Sequence, residues 1–142
     1  MSSLFSHIMI PVDFTKKNDA ALEVANRLAQ QNHARVTLLH VIEAIDYIED
    51  EDLADFYAKL EEASETKMRD LAGLFSAEDI EVQHRVVIGK RAMSIVTFSM
   101  ERDEDLVVLS SHKAYLNEIP KGLGTLSHQV SILSQCPVLL VK

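Results

Sequence analysis

The chain has 142 residues, enough for one domain that buries roughly two-thirds of its unfolded surface. It is 47% hydrophobic and 25% charged with a formal net charge of −8, a balance that argues against nucleic acid as the main partner, because phosphate backbones are held by clustered Lys and Arg. The longest apolar runs fall far short of the roughly 18 residues of a membrane-spanning helix, residues 1–7 show no signal peptide, and the single cysteine, Cys136, excludes an internal disulfide. The expectation is a cytoplasmic protein with no membrane insertion.

Residues 7–12 carry Ile8, Met9, Ile10 and Val12 in a nearly continuous apolar run that stops at Asp13. Continuous rather than alternating hydrophobicity predicts a strand buried on both faces. Thr15 or Asn18 can cap the helix that follows, in which Ala21, Val24, Ala25, Leu28 and Ala29 recur at helical spacing until about Asn32. Residues 36–42 form a second buried strand. A long helix is predicted over 50–74, with Leu53, Phe56, Leu60, Ala63, Lys67 and Leu71 near three-four spacing, the lysine breaking the apolar stripe. Ten of the 22 acids fall in residues 43–65. They read as a solvated face that keeps the protein soluble, or as a docking surface for a basic partner.

Residues 80–88 alternate, with Ile80, Val82, His84, Val86 and Ile88 on one face and Glu81, Gln83, Arg85 and Val87 on the other. This pattern predicts a strand with one wetter face, at a sheet edge. Gly89 breaks it, and Ala92, Ile95, Val96 and Ser99 give one face of a third helix. Leu106 to Leu109 is a short apolar run ended by Ser110-Ser111-His112-Lys113. A polar loop with Pro120, Gly122 and Gly124 follows, Thr125 opens a fourth helix, and 137–141 is a last apolar run. Strands joined by helical crossovers run parallel with helices on both faces, so the prediction is one open α/β sheet in a single domain, 1–142.

Ligands of such sheets sit beyond the carboxyl ends of the strands, where strand order reverses. If the first and fourth strands are neighbours, Asp13 and Ser110-Ser111 face one another there. Asp13 then accepts hydrogen bonds from a ribose or base edge, or instead serves as a turn carboxylate for the next helix. The loop ending at the Thr125 helix start would surround phosphates, whose charge helix N-termini attract, with Lys113, Lys121 and His112 either adding positive charge or standing as solvated surface. The six histidines include no pair at metal-ligand spacing with a nearby acid or thiol, so no metal is expected. No Gly-x-Ser-x-Gly elbow surrounds Ser110-Ser111, so no catalytic residue is assigned. Cys136, just before Pro137, reads as a structural thiol.

At these residues the sequence resembles the universal stress protein family. The resemblance is carried by Ile10-Pro11-Val12-Asp13 and the helix after it, Val36-Thr37-Leu38-Leu39-His40-Val41, Gly89 opening the third helix, Asp105-Leu106-Val107-Val108-Leu109, and Gln135-Cys136-Pro137-Val138-Leu139-Leu140-Val141. It implies a five-stranded parallel sheet of order 3-2-1-4-5, similar to the adenine-nucleotide alpha hydrolases, and dimers formed through the last strand. Family members that bind nucleotide carry Gly-x2-Gly, nine residues, then Gly-Ser or Gly-Thr. Carried over, Pro11, Asp13 and Val41 match pocket, ribose and adenine positions, and Gly124-Thr125 matches the closing pair. Ser110 and Lys113 stand where the first two glycines belong, and ten residues rather than nine separate Lys113 from Gly124. A Cβ where backbone must approach phosphate is unfavourable.

The implied reading is a stress-response binding and regulatory protein, homodimeric, acting through an unidentified protein partner. Its nucleotide would be ATP or AMP, with Mg²⁺ only alongside ATP, but the two missing glycines leave nucleotide binding open. A slow ATP hydrolase and a partner-regulating protein with an empty crevice are the alternatives. The nucleotide-binding candidates are Pro11, Asp13, Val41, Ser110, Ser111, Lys113, Gly124 and Thr125.

Overall fold

The computed structural model describes residues 3–44, 51–111 and 125–142. Strand β1 (His7–Pro11) shows why its sequence lacks alternation: Ile8 and Ile10 enter one apolar cluster, Met9 enters another, and all three are fully buried. A strand at the middle of a two-sided sheet has no wet face to give to polar residues. Strand β2 (Arg35–Glu43) behaves alike, with Val36 and Leu38 on the first side and Leu39 and Val41 nearer the second. Each such side chain removed from water contributes roughly 1.5–3 kcal/mol.

The remaining elements follow in regular alternation. Helix α1 (Asp19–Asn32) links β1 to β2, α2 (Glu51–Ser76) links β2 to β3 (Val82–Gly89), α3 (Arg91–Glu101) leads to β4 (Leu106–Ser110), and α4 (Leu126–Leu133) leads to β5 (Val138–Val141). All pairings are parallel and the strand order is 3-2-1-4-5. Both are as the family resemblance implies. Small residues Ala21, Ala25 and Ala29 let α1 lie close on the sheet beside α2, while Ala92, Ile95 and Val130 bring α3 and α4 onto the opposite face. Among the described residues no helix is long and apolar enough to cross a membrane.

Three sequence expectations need adjustment. The buried stripe of α2 runs through Ser64, Met68 and Phe75, whereas Phe56, Ala63 and Lys67 are exposed. Leu53, Leu60 and Leu71 of the expected stripe are half-buried, but its other three members sit one row off, because spacing alone does not say which of two adjacent rows the sheet covers. Strand β3 is indeed an edge strand, and nearly all of it is half-exposed on both sides. At α1, neither Thr15 nor Asn18 caps with its side chain; a 3₁₀ turn (Lys16–Asn18) intervenes and turns Asn18 inward.

Candidate functional site

The β1–β4 ladder pairs Ile8 with Leu106 and Met9 with Val107, and its paired residues end there. The N–H of Val12 bonds to Leu39 of β2 at 2.8 Å, so the residue before it faces β4. That residue is Pro11, which has no N–H to offer. The two strands therefore part at the point where the order reverses, the place open α/β sheets keep for ligands.

A crevice of about 60 Å³ opens at this parting. Pro11, Val12, Leu39 and Val41 of the sheet, Ile95 of α3, Leu109 of β4 and Leu126 of α4 give it apolar walls. Asp13, Asn18, His40, Arg91 and Ser110 are its polar groups. Of the eight sequence candidates, Pro11, Asp13, Val41 and Ser110 are thus brought together. Lys113 and Gly124 lie outside the described residues. Ser111 and Thr125 are not among the residues lining it. The Ser111 N–H donates to Val141 at 2.8 Å and its hydroxyl lies 3.3 Å from Ser127 and 3.1 Å from Lys142, on the side of α4 and β5. Thr125 is the N-cap of α4, as its sequence position predicts, accepting from the His128 N–H at 3.3 Å.

The polar groups already have protein partners. One Asp13 oxygen accepts from the Thr15 hydroxyl at 2.6 Å and from the Thr15 N–H at 3.0 Å, the bonding of a turn carboxylate. Burial alone would raise the Asp13 pKa, but these two bonds, with the Arg91 charge, outweigh it and hold the carboxyl below its ordinary value. The neighbouring Phe14 takes a left-handed φ of 66°. Its ring lies 4.3 Å from that of His40 and carries the Lys67 ammonium 5.3 Å from its centroid.

His40 is fixed in one tautomer. Its Nδ1 lies 2.7 Å from the Val12 carbonyl, which can only accept, so Nδ1 carries the proton and Nε2 keeps its lone pair. Burial lowers the His40 pKa, and Arg91 and Lys67 add to that; the Val12 carbonyl and Asp13 oppose it without reversing the sign. Arg91 stands at the start of α3, two residues after Gly89, whose added Cβ would sit 2.5 Å from the Ser94 hydroxyl. Its guanidinium is only loosely paired, 3.9 Å from Glu43.

Asn18, His40 and Arg91 are the polar lining residues that sequence reasoning did not place in the site. His40 entered only as part of the second strand's family-like stretch, Arg91 carried no motif, and Asn18 read as a helix cap. A larger hollow of about 610 Å³ lies at the opposite end of the sheet, among Arg35, Glu78, Asp79 and Glu81. Its charges are mixed, the Arg35 guanidinium already lies 2.9 Å from a His7 ring nitrogen, and it lies at the amino ends of the strands. The crevice at the carboxyl ends is the better candidate despite its size.

The comparisons with known proteins agree with this architecture. The model of the Universal stress protein family matches residues 4–142. Universal stress protein YxiE of Bacillus subtilis is 23% identical over 150 aligned residues, which cover 98% of this chain and 100% of that protein. Universal stress protein MJ0577 of Methanocaldococcus jannaschii is 26% identical, and its structure matches with a TM-score of 0.83 over 98% of this chain and 96% of that one. The universal stress protein of Archaeoglobus fulgidus solved in complex with dAMP shares the fold at 20% identity, with a TM-score of 0.68 over 98% of this chain and 99% of that one. The chain belongs to the universal stress protein family.

Proposed function

We propose that this universal stress protein is a stress-response binding and regulatory protein whose crevice between β1 and β4 takes an adenine nucleotide. The observation that carries the reading is the convergence of Pro11, Asp13, Val41 and Ser110 on one apolar-walled crevice at the point of strand reversal. Asp13 supplies acceptor oxygens for a ribose, Val12, Val41 and Leu39 supply apolar surface for a base, and Arg91 supplies a cation for phosphate. The dAMP complex of the Archaeoglobus fulgidus relative supports an adenine mononucleotide as the ligand class.

The crevice volume of about 60 Å³ is far below the roughly 300–1,000 Å³ of established small-ligand pockets. Binding therefore requires the walls to move apart, and the expected affinity is modest. The same closure favours one competing reading, in which the protein regulates a partner with the crevice empty. Hydrolysis finds less support. Mg²⁺ would need a hydroxyl or carboxylate to hold it, and of Asp13 and Thr125 only Asp13 lines the crevice.

Calorimetric titration with ATP, ADP and AMP, each with and without Mg²⁺, separates these readings. Saturable heat with AMP or ATP supports the nucleotide reading; Mg²⁺ dependence with ATP alone would bring hydrolysis back. No binding at nucleotide concentrations of about 1 mM, roughly −4 kcal/mol, would leave the partner-regulating reading.

The reading also includes a homodimer through β5. Among the described residues that strand has a neighbour, β4, on one side only. Its Leu139 is exposed, as are Ile132 and Leu133 on α4. An uncharged edge strand beside apolar side chains suits pairing with a second copy across a two-fold axis.

A further inference from the structure

Asn18 is 5% exposed and lies between the parted ends of β1 and β4. Its Oδ1 accepts from the Asp13 N–H at 2.8 Å, and its Nδ2 donates to the Ser110 hydroxyl at 3.0 Å. The amide orientation is fixed chemically: the Asp13 N–H can only donate, so the oxygen must face it and the nitrogen must face Ser110. We propose that this Asn18–Ser110 tie is a gate, holding the crevice closed until an adenine nucleotide displaces it. The proposal rests on the nucleotide reading for the identity of the ligand, though not for the tie itself.

Two features place the tie where it governs access. The strand ladder ends at Met9 and Val107, so beyond that point Asn18 links the two strands by a side chain in place of backbone bonds. Asn18 and Ser110 are also both wall residues, so separating them widens the space a ribose must enter. Ser110 occupies the position where nucleotide-binding relatives have the first motif glycine, and glycine has no hydroxyl to receive the amide. The substitution therefore does more than add a Cβ near the phosphates. It creates an acceptor that keeps the crevice shut.

The test separates hydroxyl from Cβ. Ser110→Ala removes the acceptor and keeps the Cβ, whereas Ser110→Gly removes both. The first readout needs no ligand: hydrogen exchange at the Asp13 amide, whose partner Asn18 is held in place by Ser110. Loss of one hydrogen bond predicts that exchange in Ser110→Ala quickens by about two- to tenfold. The second readout is AMP affinity by calorimetry, expected to rise by a similar factor in Ser110→Ala and at least as much in Ser110→Gly. Unchanged exchange in Ser110→Ala, or a gain in affinity confined to Ser110→Gly, would overturn the gate. Faster exchange with no AMP binding by any of the three proteins would uphold the tie, overturn its role toward nucleotide and remove the nucleotide reading with it.

Discussion

Replacing Glu104 with glutamine is expected to stabilise the protein at neutral pH. Glu104 is 8% exposed, and among the described residues its buried Oε2 has no hydrogen-bond partner. Burial raises its pKa; a hydrogen bond from Thr37 and the charges of His7, Arg35 and Arg102 oppose that without cancelling it. The native carboxyl thus holds its proton more tightly than the unfolded chain does. The stabilisation from that proton is complete below the unfolded value, about 4.5, and is lost as pH rises through the higher native one. At pH 7 the parent carries a buried, half-satisfied carboxylate, and leaving a buried charged oxygen unpartnered costs about 1–3 kcal/mol. The glutamine keeps an acceptor for Thr37 and leaves its two amide N–H donors unpartnered, but these are neutral, so the cost stays near the low end of that range. The net gain is about 1 kcal/mol, or roughly 3–4 °C in Tm for a chain of this size. Calorimetric melts from pH 4 to pH 8 check it. The variant should melt above the parent at pH 7, and the gap should close toward pH 4. A gap that does not change with pH, or a variant that melts lower at pH 7, refutes the reasoning.

Four further outcomes are expected. Met68→Ala empties a fully buried position between α2 and the sheet and should cost about 2–5 kcal/mol in urea unfolding; a loss below about 1 kcal/mol would mean the helix collapses onto the gap. Asp13→Ala should abolish any nucleotide binding while costing only about 1 kcal/mol, since the carboxylate is exposed and, among the described residues, its hydrogen bonds are to Thr15; unchanged affinity would confine it to its turn role. NMR titration should find the His40 ring neutral below its ordinary 6.5 with the proton on Nδ1, and Asp13→Ala should move that titration lower still, because Asp13 raises it. Light scattering should give a dimer mass for the parent and a monomer for Leu139→Pro, with circular dichroism confirming that the variant folds; a monomeric parent at micromolar concentration rules out the β5 interface.

The strands were readable because burial on both faces leaves a mark that needs no neighbour to interpret. Ile8-Met9-Ile10 and Leu106-Val107-Val108-Leu109 have no polar position to spare, and each became a central strand. The edge character of β3 was equally visible in its alternation. Helix α2 was located and half of its stripe was right, since Leu53, Leu60 and Leu71 are half-buried. Its candidates at 56, 63 and 67 and the buried residues at 64, 68 and 75 lie on adjacent rows, and only contact with β2 and β3 decides between them. The family resemblance supplied the strand order, which hydrophobic pattern alone does not determine.

The site was readable in position and not in bonding. Asp13 and Ser110 could be placed at strand ends from sequence, but Asn18 looked like a helix cap because Asn at that spacing usually is one. What reassigns it is tertiary: the left-handed Phe14 and the 3₁₀ turn after it swing the side chain under β1, where the Asp13 N–H and the Ser110 hydroxyl are both within reach. That geometry changes how the missing glycine should be weighed. If Ser110 acted only through its bulk, nucleotide affinity would fall because phosphate approaches a Cβ. If it acts through the tie, the intrinsic affinity of the open crevice is untouched, and the observed dissociation constant is that value divided by the fraction of molecules that are open. A bond worth about two- to tenfold lowers that fraction by the same factor, so anything else that separates Asn18 from Ser110, a partner protein included, would raise nucleotide affinity without touching nucleotide.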